Sequence, residues 1–522
     1  MRVDTKRRNK LGVCLLISIV FFFICHGFMM MNPSYSHDSL VEFVRADDHS
    51  QIMLGRFGQI IWRELFGRVT ATWFIGVVAS VLLGFSIYFL SEILSFKQNI
   101  TIILTAGILT TNYTVSNSVA TYMPWVDIYS GALLLSLLSV YIVKKYRWGL
   151  CIGALFVTGS LSLYQPYVLC IPIVVVCYIL KNYKKKECWK FILKNIAMLG
   201  LGYLIYRFLL WLILKRTGLV LFDGYNSIKH IGIPNAIITN LWQEITGTYI
   251  TSFDNLFATL NTIPGSKILI SFFIGFWFLV MIVYQQKRLT DLKRWGIISY
   301  YCAVVLLPIV ANIQYIVSKT AYHVLMLYSI HFLMIIPVVF LEKTYDDTET
   351  DCLDNRHNVS GIGIRNRFEG RVGYVVRMGT YGLVIIAIFL NIRYANNVYT
   401  EKYMRERSTL SLMTRIMSRA EETEGYIPGE MPIIIVGEIG NNISVGEKNP
   451  AYFGTQIGDA SKFISITYDI NSYLRYYLGY DTLEDDYYLK DNVNVINMPA
   501  FPEKGFAKIL DGKLIIKVAS NN

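Results

Sequence analysis

The stretch TWFIGVVASVLLGFSIYFLSEIL, residues 72–94, contains one charged side chain, Glu92. A helix needs about 20 consecutive, mostly apolar residues to cross the hydrocarbon core of a bilayer. Residues 72–94 are therefore predicted to form a transmembrane helix.

Comparable apolar runs recur along the chain, near 11–31, 100–119, 126–143, 148–163, 167–181, 191–214, 268–286, 296–313, 323–341 and 378–395. The runs 148–163 and 167–181 are treated as separate spans, because Tyr164-Gln165-Pro166 is typical of a turn. We therefore expect an α-helical polytopic membrane protein with about eleven transmembrane helices.

The composition excludes several classes of protein. Hydrophobic residues make up 54% of the 522 residues and charged residues only 16%, whereas a soluble domain carries about 25% charged residues. The eight cysteines form no CxxC pair, and none lies after residue 395, so no disulfide framework or zinc site is indicated. A P-loop is absent from the sequence, which gives no support for nucleotide hydrolysis.

The net charge of +12 is unevenly distributed. Residues 396–522 hold 13 Lys and Arg against 17 Asp and Glu, whereas short loops such as 144–147, 181–190 and 287–294 are basic. The positive-inside rule places these loops, and the basic N-terminus, in the cytoplasm. The segments 32–71, 215–265, 314–322 and 396–522 then lie outside. No nucleic-acid partner is expected.

The tail 396–522 is predicted to be a small extracytoplasmic α/β domain attached to a transmembrane domain of residues 1–395. Residues 398–424 favour a helix, and Asp511-Gly512 is a turn signal. Strands are predicted by the apolar patterns at 431–437, 492–497 and 513–518.

The first external loop, 32–71, carries three candidate catalytic carboxylates, Asp38, Asp47 and Asp48. A carboxylate at a membrane surface can act as a general base towards a sugar hydroxyl, or bind a metal. A structural alternative stands beside each of them. Asp48 or Ser50 can cap a following helix, Asp47 can be a first-turn charge favoured by the helix dipole, and Asp38 can be an ordinary solvated charge.

The second half of that loop is predicted to form one amphipathic helix in the membrane interface, with apolar residues at helical spacing. These residues are Met53, Phe57, Ile60, Ile61 and Leu65. Arg56 lies within it and can bind a phosphate bidentately, with Gly55 permitting close approach. The alternative for Arg56 is a side chain that snorkels to the headgroups.

Other candidates for substrate binding lie near the external face. Arg207 occupies the outer third of the run 191–214, and an ionisable residue inside the membrane is a functional hypothesis by default. Lys319 and His323 are four residues apart at the mouth of a span and can meet a phosphate together, although Lys319 can also be a loop charge. Gln165, beside Tyr164, either lines a cavity or satisfies turn backbone.

The acidic run 346–351, with Cys352 and His357 nearby, matches no metal motif and is interpreted as a solvated cytoplasmic loop.

The active surface is expected outside the cytoplasm, where nucleotide sugars are not available. A glycosyl donor used there has to be carried across the membrane on a lipid. The residues alone do not separate such an enzyme from a flippase or another transporter.

Several stretches resemble the bacterial O-antigen glucosyltransferase (Gtr-type) family, within the GT-C membrane glycosyltransferases. They occur in order along nearly the whole chain: Ser36-His37-Asp38-Ser39, Leu54-Gly55-Arg56-Phe57-Gly58, Leu161-Ser162-Leu163-Tyr164-Gln165-Pro166, Asn396-Asn397-Val398-Tyr399, Glu401-Lys402-Tyr403, Pro432 to Gly437, Met498-Pro499-Ala500-Phe501-Pro502 and Asp511-Gly512-Lys513.

The resemblance implies transfer of a hexose, typically glucose, from a polyprenyl-phosphate carrier to a cell-surface polysaccharide at a bacterial inner membrane. It also implies a catalytic acid in the first external loop, best matched by Asp38, with Asp47 and Asp48 as a second acidic pair. Basic residues would stabilise the leaving phosphate. No cofactor is required, and use of a divalent metal stays open.

Two other classes remain as alternatives. A lipid-linked oligosaccharide flippase would need functional polar residues deep in several spans and would not need an external domain. A glycan polymerase or ligase would instead take a lipid-linked oligosaccharide as its donor.

Overall fold

The computed structural model describes residues 2–34, 39, 48–182, 188–223, 241–259, 275–277, 279–280, 282, 294–317, 323–354, 364–437, 471–484 and 492–518. The chain divides into two compact units. The membrane unit comprises Met1–Gly27, Asp47–Ser118 and Trp125–Ala395, and the C-terminal unit comprises Phe28–Ala46, Val119–Pro124 and Asn396–Asn522.

Helices dominate the described part of the chain. Up to residue 217 they are α1 (Arg2–Met31), α2 (Asp48–Met53), α3 (Gly58–Leu65), α4 (Thr72–Ile93), α5 (Asn99–Thr111), α6 (Tyr113–Thr121), α7 (Val126–Lys145), α8 (Gly149–Tyr164), α9 (Cys170–Lys181) and α10 (Cys188–Thr217). They continue as α11 (Leu241–Leu256), α12 (Arg294–Ala311), α13 (Ile313–Val317), α14 (Ile335–Asp354) and α15 (Ile364–Glu421). Short 3₁₀ segments lie at Met123–Trp125, Gln165–Leu169, Val324–Met326 and Tyr328–Met334.

Six helical stretches among the described residues are long and apolar enough to cross a membrane: Asn9–Met31, Thr72–Ile93, Met123–Lys145, Gly149–Lys181, Cys188–Thr217 and Gly373–Glu421. The chain is thus a multi-pass membrane protein. The two spans predicted at 148–163 and 167–181 form one of these stretches, because the turn at Pro166 is a 3₁₀ segment that continues the chain from α8 into α9. Most of the predicted span 268–286 lies outside the described residues, and the count of eleven stays a prediction.

One end of the membrane unit is held together by lysines around the last turn of α4. Lys10 Nζ lies 2.7 Å from Glu92 Oε1. Lys144 Nζ donates to the carbonyl of Glu92 at 2.9 Å, and Lys181 Nζ donates to the carbonyl of Ser95 at 3.0 Å. The final carbonyls of a helix lack intrahelical donors and carry partial negative charge. Lysines from three separate helices therefore meet at this end, which we call the lysine end.

The C-terminal unit contains a three-stranded sheet in the order β1-β3-β2. Its strands are β1 (Ile433–Val436), β2 (Ala507–Leu510) and β3 (Lys513–Lys517), with β1 parallel and β2 antiparallel to β3. Apolar residues of β1 and β3 pack against the last turns of α15, including Met413 and Ile416. The strands predicted at 431–437 and 513–518 are confirmed.

The strand predicted at 492–497 is wrong, because Val493–Ile496 forms a short helix, α16. Asn492 caps this helix by accepting a hydrogen bond from the backbone N–H of Asn494 at 2.9 Å. The buried ammonium of Lys517 donates to the carbonyl of Ile496 at 2.7 Å. Satisfied backbone groups at both ends favour the helix over the extended form that the alternating valines suggested.

Candidate active site

The loop segment 48–65 forms two short helices rather than the single amphipathic helix predicted from its spacing. α2 ends at Met53, and α3 begins at Gly58. Gly55 between them has φ +75°, a left-handed conformation that costs little only for glycine. Ile61 and Leu65 are exposed while Phe57 is buried, so the predicted apolar residues do not share one face.

Two close contacts seat α3 on α8. A Cβ on Gly58 would lie 2.2 Å from Ser162 Oγ, so only glycine permits this approach. The side-chain amide of Gln59 donates to the carbonyl of Leu163 at 2.7 Å. The Gly55-Arg56-Phe57-Gly58 motif thus turns the chain and then docks it against the C-terminal end of α8.

This docking brings three predicted substrate-binding residues together. The guanidinium of Arg56 lies over the ring of Tyr164, 4.9 Å from its centroid. Gln165 Nε2 donates to the carbonyl of Leu54 at 3.0 Å. Since Tyr164 and Gln165 both belong to the turn after α8, the turn and the 54–58 segment form one cluster, which we call the arginine cluster.

Tyr206 of α10 also contacts the arginine cluster. Its hydroxyl donates to the carbonyl of Gly55 at 2.9 Å and lies 3.3 Å from Gln165 Nε2. Its buried ring stacks on Phe57, with 5.8 Å between centroids. Arg207 follows in sequence, but its side chain is exposed, so of this pair Tyr206 is the residue inside the cluster.

The ring beneath Arg56 is itself fixed by aromatic neighbours. Tyr164 is 2% exposed and packs against Tyr129 of α7, with 4.6 Å between ring centroids. Tyr167 lies 5.7 Å from the Tyr164 ring on another side. A ring held this way is a rigid platform for a cation.

An acidic residue that the sequence reading did not select lies beside the arginine cluster. Asp127, in the first turn of α7, is buried and accepts a hydrogen bond from the indole N–H of Trp62 at 2.8 Å. The Trp62 ring fits against Gly131, where a Cβ would lie 2.6 Å from the ring. Arg63, next along α3, lies over the ring of Trp125 at 5.7 Å. The acid and two arginines therefore share this end of the bundle.

The three carboxylates predicted as catalytic are differently placed. Asp38 and Asp47 lie outside the described residues. Asp48, the first residue of α2, pairs with Arg68 at 2.8 Å, and Glu64 pairs with the same guanidinium at 2.6 Å. The hydrogen bond from Arg68 to Asp48 has the larger effect and the one to Glu64 the next, and both raise the pKa of the Arg68 guanidinium. Asp48 is thus half of an ion pair that links the start of α2 to the end of α3.

His323 has a different role in the structure from the phosphate binding predicted for it. His323 Nδ1 accepts from the backbone N–H of Leu325 at 3.3 Å and caps the 3₁₀ segment Val324–Met326. Lys319 lies outside the described residues. Within the described ranges, no group of three or more His, Cys, Asp or Glu side chains is arranged to hold a metal ion.

The family model described as glucosyl transferase GtrII matches residues 27–341. The chain belongs to the GtrII glucosyltransferase family. The resemblance inferred from the sequence motifs is therefore confirmed, and family membership makes the chain a membrane glycosyltransferase. A search of curated proteins and a search of solved structures each found no match.

The GtrII match includes both halves of the arginine cluster, as well as Asp127 and Trp62. Asp127 could have been found from sequence, since an acidic residue beginning an apolar run is unusual in a membrane helix. No comparable signal marks Trp62 or Tyr206, because tyrosine and tryptophan are common throughout the spans. Their roles become visible only in the packing of α3, α7 and α10.

Proposed function

We propose that this GtrII-family protein transfers a hexosyl unit, glucose in the first instance, from a polyprenyl-phosphate carrier to a cell-surface glycan. The reaction takes place on the extracytoplasmic face of the bacterial inner membrane. The observation that carries the proposal is the arginine cluster, in which Arg56 is held on a rigid aromatic platform at one end of the bundle.

Arg56 is suited to the phosphate of the donor. Among the described residues its Nε is buried and has no hydrogen-bond partner. An unsatisfied buried donor is costly, and a phosphate oxygen would supply a charge-assisted acceptor. Gln165 and Tyr206 hold the backbone of residues 54–55 behind it, so the guanidinium is pre-positioned. Arg207, Lys319 and His323 are proposed as further contributors to donor binding.

The position of the cluster supports a lipid-linked donor. Helix α7 has 20 residues, with Asp127 in its first turn and Lys144 and Lys145 in its last turn. At 1.5 Å per residue this separates the two ends by about 30 Å, the thickness of a hydrocarbon core. With the lysine end in the cytoplasm by the positive-inside rule, the arginine cluster lies at the height of the outer headgroups, where a lipid phosphate is presented.

The proposed chemistry is an inverting displacement. The carboxylate of Asp38 removes the proton from the acceptor hydroxyl. The oxygen of that hydroxyl attacks the anomeric carbon of the donor sugar. The bond from that carbon to the phosphate oxygen breaks, and the polyprenyl phosphate leaves with the electron pair, stabilised by Arg56. Asp47 and Asp48 are the alternative bases. The ion pair of Asp48 with Arg68 favours Asp38 over Asp48.

The test is reconstitution of the purified full-length protein in liposomes with defined polyprenyl-phosphate hexoses and surface polysaccharides as acceptors. Sugar transfer to the polysaccharide is measured by mass spectrometry. Transfer is expected from a polyprenyl-phosphate hexose and not from a free nucleotide sugar. Movement of the lipid-linked sugar across the bilayer without transfer would instead identify a flippase.

A further inference from the structure

Helix α11 (Leu241–Leu256) buries three polar side chains, while its exposed surface carries three large apolar side chains together with Gln243, Thr246 and Asp254. The buried residues are Glu244, Thr248 and Ser252, and the exposed large apolar residues are Trp242, Ile250 and Phe253. Trp242 is 81% exposed. A helix at a protein–water boundary shows the opposite arrangement. The exposed Trp242, Ile250 and Phe253 side chains therefore favour apolar surroundings, although the sequence places this helix in a segment, 215–265, predicted to be an external loop.

The hydroxyl groups of α11 are satisfied within the helix itself. All four of its Ser and Thr side chains donate to the backbone carbonyl four residues earlier, at 2.6–2.8 Å: Thr246, Thr248, Thr251 and Ser252. This bonding satisfies a hydroxyl without water. It is what a helix in hydrocarbon requires, because no solvent is available there to pair polar groups.

The inner face of α11 hydrogen-bonds to the backbone of α12 near its proline. Pro308 lies inside α12, and a proline removes one helical hydrogen bond. Tyr249 of α11 donates its hydroxyl to the carbonyl of Val305, and Ser252 Oγ lies 3.4 Å from the carbonyl of Pro308. Asn312 Nδ2 donates back to Thr251 Oγ1 at 2.9 Å. These contacts pack the inner face of α11 against α12 next to Pro308.

We propose that α11 is inserted in the bilayer, with its polar face packed on α12 and its Trp242–Ile250–Phe253 face in contact with lipid acyl chains. α12 also has exposed apolar side chains, which include Val305 and Leu306. α11 has 16 residues, about 24 Å at 1.5 Å per residue, so it enters the hydrocarbon core without needing to cross it. This proposal does not depend on the proposed reaction.

Spin-label accessibility tests the proposal directly. The exposed Cys151 and Cys302, together with Cys352, are replaced by alanine, and the buried cysteines are left in place. Ile250→Cys and Phe253→Cys are then labelled separately in liposomes with a nitroxide. Collisions with oxygen, which concentrates in lipid, and with a water-soluble nickel chelate are measured. Leu204→Cys on the exposed face of α10 is the lipid control, and Lys508→Cys on exposed β2 is the water control.

Both α11 labels are expected to show oxygen collisions like those of Leu204→Cys and a loss of nickel collisions relative to Lys508→Cys. Nickel collisions at the level of Lys508→Cys would place the helix in water and overturn the proposal. Low collision rates with both reagents would also overturn it, because another part of the protein would then cover the face. Two labelled positions keep the test decisive if one variant does not fold.

Discussion

The two ends of the membrane unit use their cations in different ways. At the lysine end, Lys10 meets a carboxylate and Lys144 meets helix-terminal carbonyls, so each ammonium is paired within the protein. At the opposite end, Arg56 rests on the Tyr164 ring and keeps a buried Nε with no partner among the described residues. Paired cations hold helices together, whereas a pre-positioned cation with unused donors can bind an anion.

The loss of the proposed catalytic base is expected to reduce turnover far more than the loss of a carboxylate at the lysine end. Asp38→Asn is expected to reduce turnover ~100- to 10,000-fold, because general base catalysis has that typical value. Glu92→Gln, which removes a carboxylate at the lysine end, is expected to leave turnover unchanged. Both are measured as transfer rates at saturating donor. A near-normal rate for Asp38→Asn, with a large loss for Asp47→Asn or Asp48→Asn, would move the base to the later acidic pair.

Arg56→Ala is expected to reduce kcat/KM for the lipid donor about 10- to 100-fold, the equivalent of one charge-assisted hydrogen bond. Arg56→Lys should recover only part of the loss, since an ammonium lacks the planar fork of donors. The control is Arg147→Ala, an exposed arginine just beyond Lys145. Arg68 is unsuitable as a control, because it is paired with Asp48 and Glu64. Equal effects at positions 56 and 147 would favour a snorkelling role for Arg56.

Gly58→Ala tests whether the docking of α3 shapes the arginine end. The added methyl group would meet Ser162 Oγ at 2.2 Å, and overpacking of this kind costs about 1–3 kcal/mol. The melting temperature in detergent should fall together with donor affinity. Gly12→Ala, at a helical glycine with open space around it, should leave donor affinity unchanged and should not lower the melting temperature, because alanine favours a helix over glycine. Unaltered donor affinity in a destabilised Gly58→Ala protein would separate the docking of α3 from binding.

The smallest effect on stability and donor binding is expected from a substitution at the lysine end. Lys144→Met removes a cation from the C-terminus of α4 and should cost about 1 kcal/mol of unfolding free energy. The KM for the donor should stay at the wild-type value, because the residue lies a full helix length from Arg56. Thermal unfolding and donor titration measure the two quantities. A clear rise in KM would show that the two ends are coupled.

The local apolar content of the sequence predicted the six membrane-crossing stretches seen among the described residues, its ordered motifs predicted the family, and its basic loops gave the predicted sidedness. Such patterns are readable because burial in lipid depends on each segment's own composition. The strands at 433–436 and 513–517 follow from the same kind of local signal. The error at 492–497 shows its limit, since the cap supplied by Lys517 comes from a distant strand.

Only the tertiary structure decided which side chains meet. The break at Gly55, the docking of Gly58 on Ser162, and the bond from Tyr206 to the Gly55 carbonyl join residues up to 151 positions apart. The polar residues of α11 hid that helix from hydropathy, and only the structure shows that Thr251 and Ser252 contact Asn312 and Pro308. Pairing between distant segments is a property of packing, and no local pattern of residue types encodes it.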